Sequence, residues 1–284
     1  MIVAGSASQT LAVELTDELD RELATVSSDR FPDGELLAAV PDFAGEQAII
    51  VASTVSSDAH VELLLLQDAV REAGAEEVVT VIPYMGYGRQ DAAFEEGQPI
   101  SARAIARAIS TGTDRVITVN PHEEAVCDFF EPTAESVDAA GRLADPLPAD
   151  LVDPVFLSPD AGAIGLAETV RDAYGRGETD YFEKVRHSGT DVEITPSDVS
   201  VAERDVVVVD DIVATGSTVS EAVAVLGERS VEDVYVSCVH PLLVRDAYTD
   251  LSRAGVEAIY GTDTLERGSS AVSVAPAVAE HLGG

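Results

Sequence analysis

The stretch VVVVDDIVATGST, from Val206 to Thr218, places phosphate-binding and sugar-binding groups side by side. Four consecutive valines predict a buried central strand, and Asp210 and Asp211 follow at its carboxyl end. The Thr-Gly-Ser-Thr turn that comes next opens a predicted helix, whose backbone N–H groups and dipole suit a phosphate. The two carboxylates are suited to accept hydrogen bonds from sugar hydroxyls. Because functional groups gather at the carboxyl ends of such strands, we predict a sugar-phosphate site; the alternative is a capped helix beside two solvated carboxylates.

A single lysine, Lys184, stands in the segment DYFEKVRHSG, which has no clear helical or core pattern. A Walker A phosphate loop needs Gly-Lys-Ser/Thr, but Lys184 lies between Glu183 and Val185, and no GxGxxG pattern follows a predicted strand. Nucleotide binding by those two modes is therefore excluded. The lysine is either a functional cation or a surviving surface residue.

The net charge indicates an unusual solvent. The chain of 284 residues has 52 acidic and 17 basic residues, giving a net charge of -35, and the acids are spread along the whole sequence. A dense carboxylate surface keeps a protein hydrated in concentrated salt, where repulsion is screened. We therefore predict a source that lives at high salt. The same field disfavours binding to nucleic acid or to an anionic membrane.

The two cysteines, Cys127 and Cys238, form neither a disulfide framework nor a metal-binding pattern, which fits a reducing cytoplasm. No apolar run approaches the ~20 residues of a membrane span. We expect a cytoplasmic protein that binds no membrane.

Alternating strand and helix patterns predict an α/β fold with mainly parallel sheets and helices on both faces. The predicted strands are Ile2–Ala4, Ala48–Ala52, Val78–Pro83, Arg115–Asn120, Val155–Ser158, Asp205–Val209, Val234–Val239 and Ala258–Tyr260. The predicted helices are Gln9–Ala24, Ala59–Ala73, Ile100–Ile109, Ala163–Tyr174, Thr218–Gly227, Leu242–Ala254 and Ala275–Leu282.

A proline- and aspartate-rich segment, Ala144–Pro154, predicts a linker between domains 1–144 and 145–284. The halves resemble each other weakly: AGAEEVVTVIPY (Ala73–Tyr84) and RSVEDVYVSCVHP (Arg229–Pro241) both run from a helix end through an acidic turn into a strand and a proline. This predicts two copies of one α/β unit, although many helix-to-strand junctions share the pattern.

Six motifs in order define a resemblance that covers almost the whole chain. They are RFPDGE (Arg30–Glu35), VASTVSSDAHVELLLLQDAVREAGA (Val51–Ala75), VIPYMGYGRQD (Val81–Asp91), RVITVNPH (Arg115–His122), LSPDAGAIG (Leu157–Gly165) and the Asp210 segment. Together they resemble the ribose-phosphate diphosphokinases, also called phosphoribosyl-diphosphate synthetases. The resemblance implies two phosphoribosyltransferase-like domains, the first on the ATP side and the second on the ribose 5-phosphate side. It also implies Mg²⁺-dependent transfer of the diphosphoryl group of ATP to the anomeric hydroxyl of ribose 5-phosphate.

The resemblance explains why a lysine is kept. EKVRHSGTDVEI resembles the family's mobile loop, in its archaeal form, and we place this catalytic loop at 180–194. Lys184 and Arg186 match its cationic pair, which closes over the transferring phosphates. Preorganised cations stabilise the negative charge of such a transition state, and a lysine and an arginine are not interchangeable there.

The resemblance also implies the substrate-binding residues. For ribose 5-phosphate they are Arg186, Asp210, Asp211, Ala214, Thr215, Gly216, Ser217 and Thr218. For ATP they are Arg89 and Gln90, together with Phe31, Asp33, Gly34 and Glu35 from a neighbouring subunit. A homo-oligomer with an ATP site shared across an interface follows.

His122 and Asp160 match the residues that place magnesium, an ion that prefers oxygen ligands and retains water. A single histidine is more often structural, so this assignment depends on its position just past a strand.

Two other hypotheses stay open. A phosphoribosyltransferase would share the Asp210 segment but not RFPDGE or YGRQD. A non-catalytic regulatory homologue is expected to have lost the cationic pair, which is present here.

Overall fold

The computed structural model describes residues 1–186, 192–196 and 199–283, without the side chains of 184–186 and 192–196. Residues 187–191 of the predicted loop 180–194 lie outside the described residues. The strands are β1 (Ile2–Ala4), β2 (Ser27–Arg30), β3 (Leu36–Ala39), β4 (Gln47–Val51), β5 (Glu77–Ile82), β6 (Arg115–Val119), β7 (Thr133–Val137), β8 (Val155–Ser158), β9 (Glu178–Arg186), β10 (Val192–Pro196), β11 (Val206–Ile212), β12 (Val234–His240), β13 (Ala258–Thr262) and β14 (Ser270–Val272). The helices are α1 (Gln9–Leu19), α2 (Ser57–Glu72), α3 (Ser101–Ile109), α4 (Ile164–Tyr174), α5 (Ser217–Gly227), α6 (Ala247–Ala254) and α7 (Ala275–Leu282).

The chain divides into two compact units. Unit 1 holds Met1–Asp138, Asp263–Glu266 and Ser273–Gly284, and unit 2 holds Ala139–Thr262 and Arg267–Val272. This division differs from the predicted ranges 1–144 and 145–284 in two ways. The predicted linker Ala144–Pro154 lies inside unit 2, and the last helix returns to unit 1 because α7 packs against α1 and the strands β6 and β7.

Unit 1 is built on a parallel sheet of five strands in the order β1-β4-β5-β6-β7. Its central strands are continuous apolar runs, as expected for a parallel sheet covered on both faces. Side chains such as Ile50, Val78 and Ile82 are fully buried against Leu63 and Leu66 of α2. The strands β2 and β3 form a separate antiparallel hairpin whose β3 lies on α2.

Unit 2 is built on a sheet of seven strands in the order β10-β9-β8-β11-β12-β13-β14. All neighbouring pairs are parallel except β9 and β10, which form an antiparallel hairpin at the edge. The four valines of β11 are fully buried, as the sequence predicts for a central strand. The predicted α/β class with mainly parallel sheets is therefore confirmed. In the part of the chain that the structure describes, no helix is both long enough and apolar enough to cross a membrane.

Two predicted helices are too long, and backbone geometry explains both differences. Helix α1 ends at Leu19 because Asp20 takes a left-handed conformation with φ 51°. The backbone N–H of Ala24 instead donates to the carbonyl of Ile2, so this segment lies beside β1. Helix α6 begins at Ala247, since Leu243 and Arg245 have φ of 42° and 56°.

Short or exposed strands were missing from the prediction. They are β2, β3, β7, β9, β10 and β14. Most carry charged or small residues, such as SSDR in β2 and TAESV in β7, so they lack the β-branched runs that identify buried strands.

A buried carboxylate fixes the start of α7. Asp263 is 6% exposed, and its two oxygens accept hydrogen bonds from the hydroxyl of Ser273 at 2.6 Å and the backbone N–H of Val274 at 2.8 Å. Burial raises the pKa of Asp263 to about 6, in spite of these hydrogen bonds and with a further contribution from Glu14. The folded state therefore binds this proton more tightly than the unfolded state.

The raised pKa predicts a defined pH dependence of stability. The contribution of the Asp263 proton is fully present below about pH 4 and is lost as the pH rises towards the folded pKa of about 6. Asp263→Asn should remove roughly 2–3 kcal/mol of this dependence, since one pKa unit is about 1.4 kcal/mol. The measurement is urea unfolding at fixed high KCl from pH 4 to 7, comparing the variant with the parent.

Asp42→Asn is the matched control, because the pKa of Asp42 is shifted in the opposite direction from that of Asp263. Hydrogen bonds from the hydroxyl and backbone N–H of Thr25 lower the pKa of Asp42, so its contribution is lost as the pH falls. Equal pH profiles for the Asp263→Asn protein and its parent would contradict the prediction.

Candidate functional site

The junction between β11 and α5 carries the predicted sugar-phosphate residues. Asp210 and Asp211 are half-buried near the carboxyl end of β11. The backbone N–H of Asp211 donates to Oδ1 of Asp210, and that of Ile212 donates to Oδ1 of Asp211, both at 2.9 Å. One oxygen of each carboxylate is thus held by the backbone, which fixes the direction of both side chains.

The turn after these carboxylates presents backbone donors. Gly216 precedes the first residue of α5 and has φ 73° and ψ 3°, a left-handed conformation that favours glycine. Within the described part of the chain, no acceptor is bound to the backbone N–H groups of Ala214, Thr215, Gly216, Ser217 and Thr218. The hydroxyls of Thr215 and Ser217 lie 3.1 Å apart at this point. Free N–H groups at the start of a helix form an anion site, so the turn suits a phosphate.

The segment that precedes α6 donates hydrogen bonds to the carbonyls at the start of this turn. The backbone N–H of Leu243 donates to the carbonyl of Val213 at 2.9 Å, and that of Val244 donates to the carbonyl of Ala214 at 3.0 Å. The same segment has the left-handed residues Leu243 and Arg245, which make α6 begin later than predicted. The start of the turn is therefore anchored within unit 2 through its carbonyl oxygens and not through its N–H groups.

Asp160 comes to the same edge of the sheet. It follows β8, which pairs in parallel with β11, and its Oδ1 accepts a hydrogen bond from the backbone N–H of Gly162 at 3.0 Å. Burial is the main cause that raises the pKa of Asp210, followed by the charge and hydrogen bond of Asp211 and the charge of Asp160. A positive charge brought to this cluster would relieve the repulsion.

Strand β9 carries Lys184 and Arg186 past the same edge. It pairs in parallel with β8, with Ser158 opposite Tyr181, so residues 182–186 extend beyond the end of β8. The antiparallel partner β10 places Ile194 opposite Lys184 and Val192 opposite Arg186. The backbone of the two predicted cations therefore leaves the sheet where Asp160 and Asp210 stand.

The motif RFPDGE forms the turn of the β2–β3 hairpin in unit 1. The backbone N–H of Phe31 donates to the carbonyl of Glu35 at 2.9 Å, and Gly34 has φ 94°. Arg30 holds the turn by donating to the carbonyl of Gly34 at 2.7 Å and pairing with Asp58 of α2. The ring of Phe31 is 48% exposed, so this turn presents a large apolar group at the surface.

The second predicted ATP motif, YGRQD, follows β5. Gly86 is required there, since a Cβ would lie 2.1 Å from the carbonyl oxygen of Thr54. Gln90 accepts a hydrogen bond from the hydroxyl of Ser101, and its carbonyl accepts from the backbone N–H of Ala102 at 3.1 Å, which joins the loop to α3. Arg89 is exposed. No hydrogen bond or ion pair among the described residues connects Arg89 or Gln90 to the turn at Phe31–Glu35.

His122 is exposed in the loop that follows β6 in unit 1. Among the described residues, no three His, Cys, Asp or Glu side chains are arranged to hold a metal ion. The structure thus groups Asp160, Asp210, Asp211 and the turn to Thr218 in unit 2, and it places Arg89, Gln90, His122 and the Phe31–Glu35 turn in unit 1.

The fold and the β11–α5 junction are those of a protein built from phosphoribosyltransferase-like domains. Residues 133–257 match the model of the phosphoribosyl transferase domain, and residues 1–112 match that of the N-terminal domain of ribose phosphate pyrophosphokinase. A solved structure titled phosphoribosylpyrophosphate synthetase, from Mycobacterium smegmatis, superposes with a TM-score of 0.84 at 26% identity, covering 99% of this chain and 97% of the other.

Curated relatives cover the chain from end to end. A protein named ribose-phosphate pyrophosphokinase from Halobacterium salinarum is 61% identical, over 99% of this chain and all (100%) of its own length. One of the same name from Methanosarcina mazei is 43% identical, over 100% of this chain and 95% of its own length. The chain belongs to the ribose-phosphate pyrophosphokinase family, and the resemblance found in the sequence is confirmed.

Proposed function

We propose that this protein transfers the diphosphoryl group of ATP to the anomeric hydroxyl of ribose 5-phosphate, giving 5-phosphoribosyl 1-diphosphate and AMP. The hydroxyl oxygen attacks the β-phosphorus, the bond to the oxygen between the α- and β-phosphorus breaks, and the hydroxyl proton is released. The observation that carries the proposal is the β11–α5 junction, within a chain that matches the family over its whole length.

The junction supplies both parts of a sugar-phosphate site. The free N–H groups from Ala214 to Thr218 suit the 5-phosphate, because they combine directed donors with the dipole of α5. The carboxylates of Asp210 and Asp211 suit the ribose hydroxyls, because the backbone already holds the direction of each side chain. Both carboxylates are fixed before substrate arrives, which reduces the entropy lost on binding.

Gly216→Ala should damage this site specifically. A left-handed alanine costs about 1–2 kcal/mol, and its Cβ would lie 3.3 Å from the side chain of Leu251. The N–H groups would then turn away from the phosphate. Losing one hydrogen bond to a charged group costs about 1.5–3 kcal/mol, so the KM for ribose 5-phosphate should rise about tenfold or more. Steady-state kinetics and urea unfolding in high KCl measure the two effects.

Gly227→Ala is the matched control at the other end of α5. A Cβ there meets nothing within 4 Å, and Gly227 does not have a positive φ. We expect it to leave KM unchanged. A Gly216→Ala protein with the KM of the parent would contradict the role of the turn.

The positive charges of the reaction are assigned to Lys184 and Arg186, together with Arg89 on the ATP side. In a chain with 52 acidic residues, cations that approach a triphosphate are scarce, so each has a large effect on the local field. The described backbone brings Lys184 and Arg186 to the edge where Asp210 lies. Their proposed role is to stabilise charge that develops on the phosphoryl oxygens.

The carboxylates of unit 2 fit a hard divalent cation such as Mg²⁺. The pKa of Asp210 is raised by burial and by the charges of Asp211 and Asp160, which is the repulsion that a bound cation removes. Asp160 is assigned to the ion in unit 2 with the oxygen donor that Mg²⁺ prefers, and His122 is assigned on the ATP side. Since no three such side chains among the described residues are arranged to hold an ion by themselves, phosphate oxygens and water would complete its ligands. When bound, the ion would supply charge neutralisation to the phosphates; the chain itself orients the ribose and the transferring group.

We assign ATP to unit 1 through Arg89 and Gln90, and to a second subunit through Phe31, Asp33, Gly34 and Glu35. Support comes from the β2–β3 hairpin, which presents the exposed ring of Phe31 and, among the described residues, forms no hydrogen bond to the Arg89 loop of its own chain. A homo-oligomer with an ATP site at the interface accounts for both observations.

The product of the reaction distinguishes the hypotheses. Purified protein is mixed with ATP, Mg²⁺ and ribose 5-phosphate in concentrated KCl, and the nucleotides are resolved by chromatography. AMP formed in equal amount with phosphoribosyl diphosphate supports attack on the β-phosphorus. ADP would show an ordinary kinase, and absence of turnover with bound phosphoribosyl diphosphate would favour a transferase or a regulatory homologue.

A further inference from the structure

The base of the β9–β10 hairpin contains two buried charged side chains that no substrate-binding motif includes. Asp180 on β9 is 6% exposed, and Arg204, just before β11, is 9% exposed. Charged side chains are rarely buried to this extent unless they are paired or hydrogen-bonded. Both form specific bonds at the point where the chain enters and leaves the hairpin.

Asp180 connects the entry strand to the exit segment. Its Oδ2 accepts a hydrogen bond from the backbone N–H of Val199 at 3.0 Å, across the base of the hairpin. Two residues further along the same face of β9, Phe182 is 1% exposed and packs in the core of unit 2. The strand is therefore fixed by a polar bond and an apolar contact immediately before Lys184.

Arg204 connects three segments through one guanidinium group. It donates to the carbonyl of Ser200 at 3.0 Å on the exit segment and to the carboxylate of Glu178 at 3.0 Å on β9. It also donates to the carbonyl of Asp153 at 2.7 Å, just before β8, and pairs with the carboxylate of that residue at 3.1 Å. The planar fork of arginine suits such a multiple contact better than an ammonium group.

We infer that Asp180 and Arg204 are positioning residues for the reaction, because they set the angle at which β9 carries Lys184 and Arg186 beyond the sheet. The inference rests on the catalytic roles proposed for those two cations. Neither Asp180 nor Arg204 is assigned to touch substrate. Their effect is transmitted through the backbone of β9 and through its register with β10.

Because Lys184 lies far along the strand from Asp180, a small tilt of β9 at its base moves Lys184 by a large distance. Lys184 lies four residues beyond Asp180, a distance of roughly 13 Å at about 3.3 Å per residue. A tilt of about 5° at the base therefore moves residue 184 by about 1 Å, and a displacement of that size can lower a rate by about 100-fold. A purely structural role predicts a loss of stability without this loss of rate.

The test compares Arg204→Gln and Asp180→Ala with the conservative variants Arg204→Lys and Asp180→Asn, in high KCl. We expect Arg204→Gln and Asp180→Ala to lower kcat by about 10- to 100-fold, with KM for ATP within about twofold of the parent. Asp180→Asn keeps an acceptor for Val199 and should restore most of kcat. Arg204→Lys keeps the charge without the fork and should restore part of it.

Arg115→Gln is the matched control in unit 1. Arg115 likewise joins separate elements, donating to Glu135 at 3.1 Å and to the carbonyl of His281 at 2.8 Å. It should lower stability and leave kcat unchanged. Circular dichroism shows that each variant is folded at the assay temperature.

A double-mutant cycle with Lys184→Ala separates the inference from the proposed function. Because Arg204 is inferred to act through Lys184 and Arg186 together, adding Arg204→Gln to Lys184→Ala should lower kcat by a clearly smaller factor than Arg204→Gln lowers it in the parent. A folded Arg204→Gln protein with the kcat of the parent, or fully additive losses in the double variant, would overturn the inference alone. A Lys184→Ala protein with normal turnover would overturn the proposed role of the cations and the inference with it.

Discussion

Lys184→Ala is expected to lower kcat by about 10³-fold, the upper end of what one preorganised electrostatic group contributes to a transition state. Its ammonium group is proposed to act on charge that exists only as the diphosphoryl group moves. Removing it should therefore leave ground-state ATP binding within about twofold, since an interaction specific to the transition state changes kcat and not the binding constant. Rapid-quench kinetics and calorimetric titration with ATP in high KCl measure the two quantities.

Two comparisons test whether the loss is specific to this lysine. Arg253→Ala removes a cation from α6 of the same unit, where it pairs with Asp250 and is 76% exposed, and it should leave kcat unchanged. Lys184→Arg keeps the charge but replaces a compact ammonium with a broad fork, so it should restore only a part of the rate. Turnover by Lys184→Ala at the rate of the parent would remove the lysine from the mechanism.

The second large effect concerns salt. With a net charge of -35, the folded chain should gain stability steeply as KCl rises, since the Debye length falls from about 30 Å at 0.01 M to about 3 Å at 1 M. We expect the midpoint of thermal unfolding to rise by more than about 10 °C between 0.1 M and 3 M KCl, at about 2–4 °C per kcal/mol. Scanning calorimetry over a KCl series measures the rise.

Two exposed acidic residues of helix α1 allow a test of whether charge repulsion causes the salt effect. Asp17 and Glu18 are exposed in its last turn, which has no basic residue, so they oppose both the helix dipole and the surrounding charge. Replacing both with Asn and Gln should raise the midpoint at low KCl and change it little at 3 M. Sucrose strengthens burial without screening charge and should not reproduce the KCl effect. Full stability in dilute buffer would contradict the prediction.

The sequence alone predicted the buried strands and the β11–α5 junction because their signals are local. The valines of β11 and the turn to Thr218 identify a strand and a helix start within one short stretch, and the anion site at that turn stays a prediction. The approach of Asp160 to Asp210 was not predicted, and it follows from the strand order, since β8 and β11 are parallel neighbours whose carboxyl ends share one edge.

Long-range contacts account for what the sequence did not show. The helical pattern of Leu242–Ala254 was overridden only before Ala247, by hydrogen bonds to Val213 and Ala214 that no local preference encodes. The sequence around Lys184 has no clear pattern of buried residues, but Asp180 and Phe182 are buried on one face of β9. Asp180 and Phe182 alternate with the less buried Tyr181, as in a strand, but three residues are too few to identify a strand from the sequence.

The return of α7 to unit 1 has a consequence for the order of synthesis. Leu11 and Leu15 of α1 are fully buried, and α7 packs against that helix. During translation, the strands of the first sheet are therefore all synthesised before α7, the helix that covers α1. The hydrogen bond between Val274 and Asp263 at the start of α7 can form only after most of unit 2 has been translated. Unit 1, whose first strand is synthesised first, is completed only when α7 has been synthesised and packs on α1.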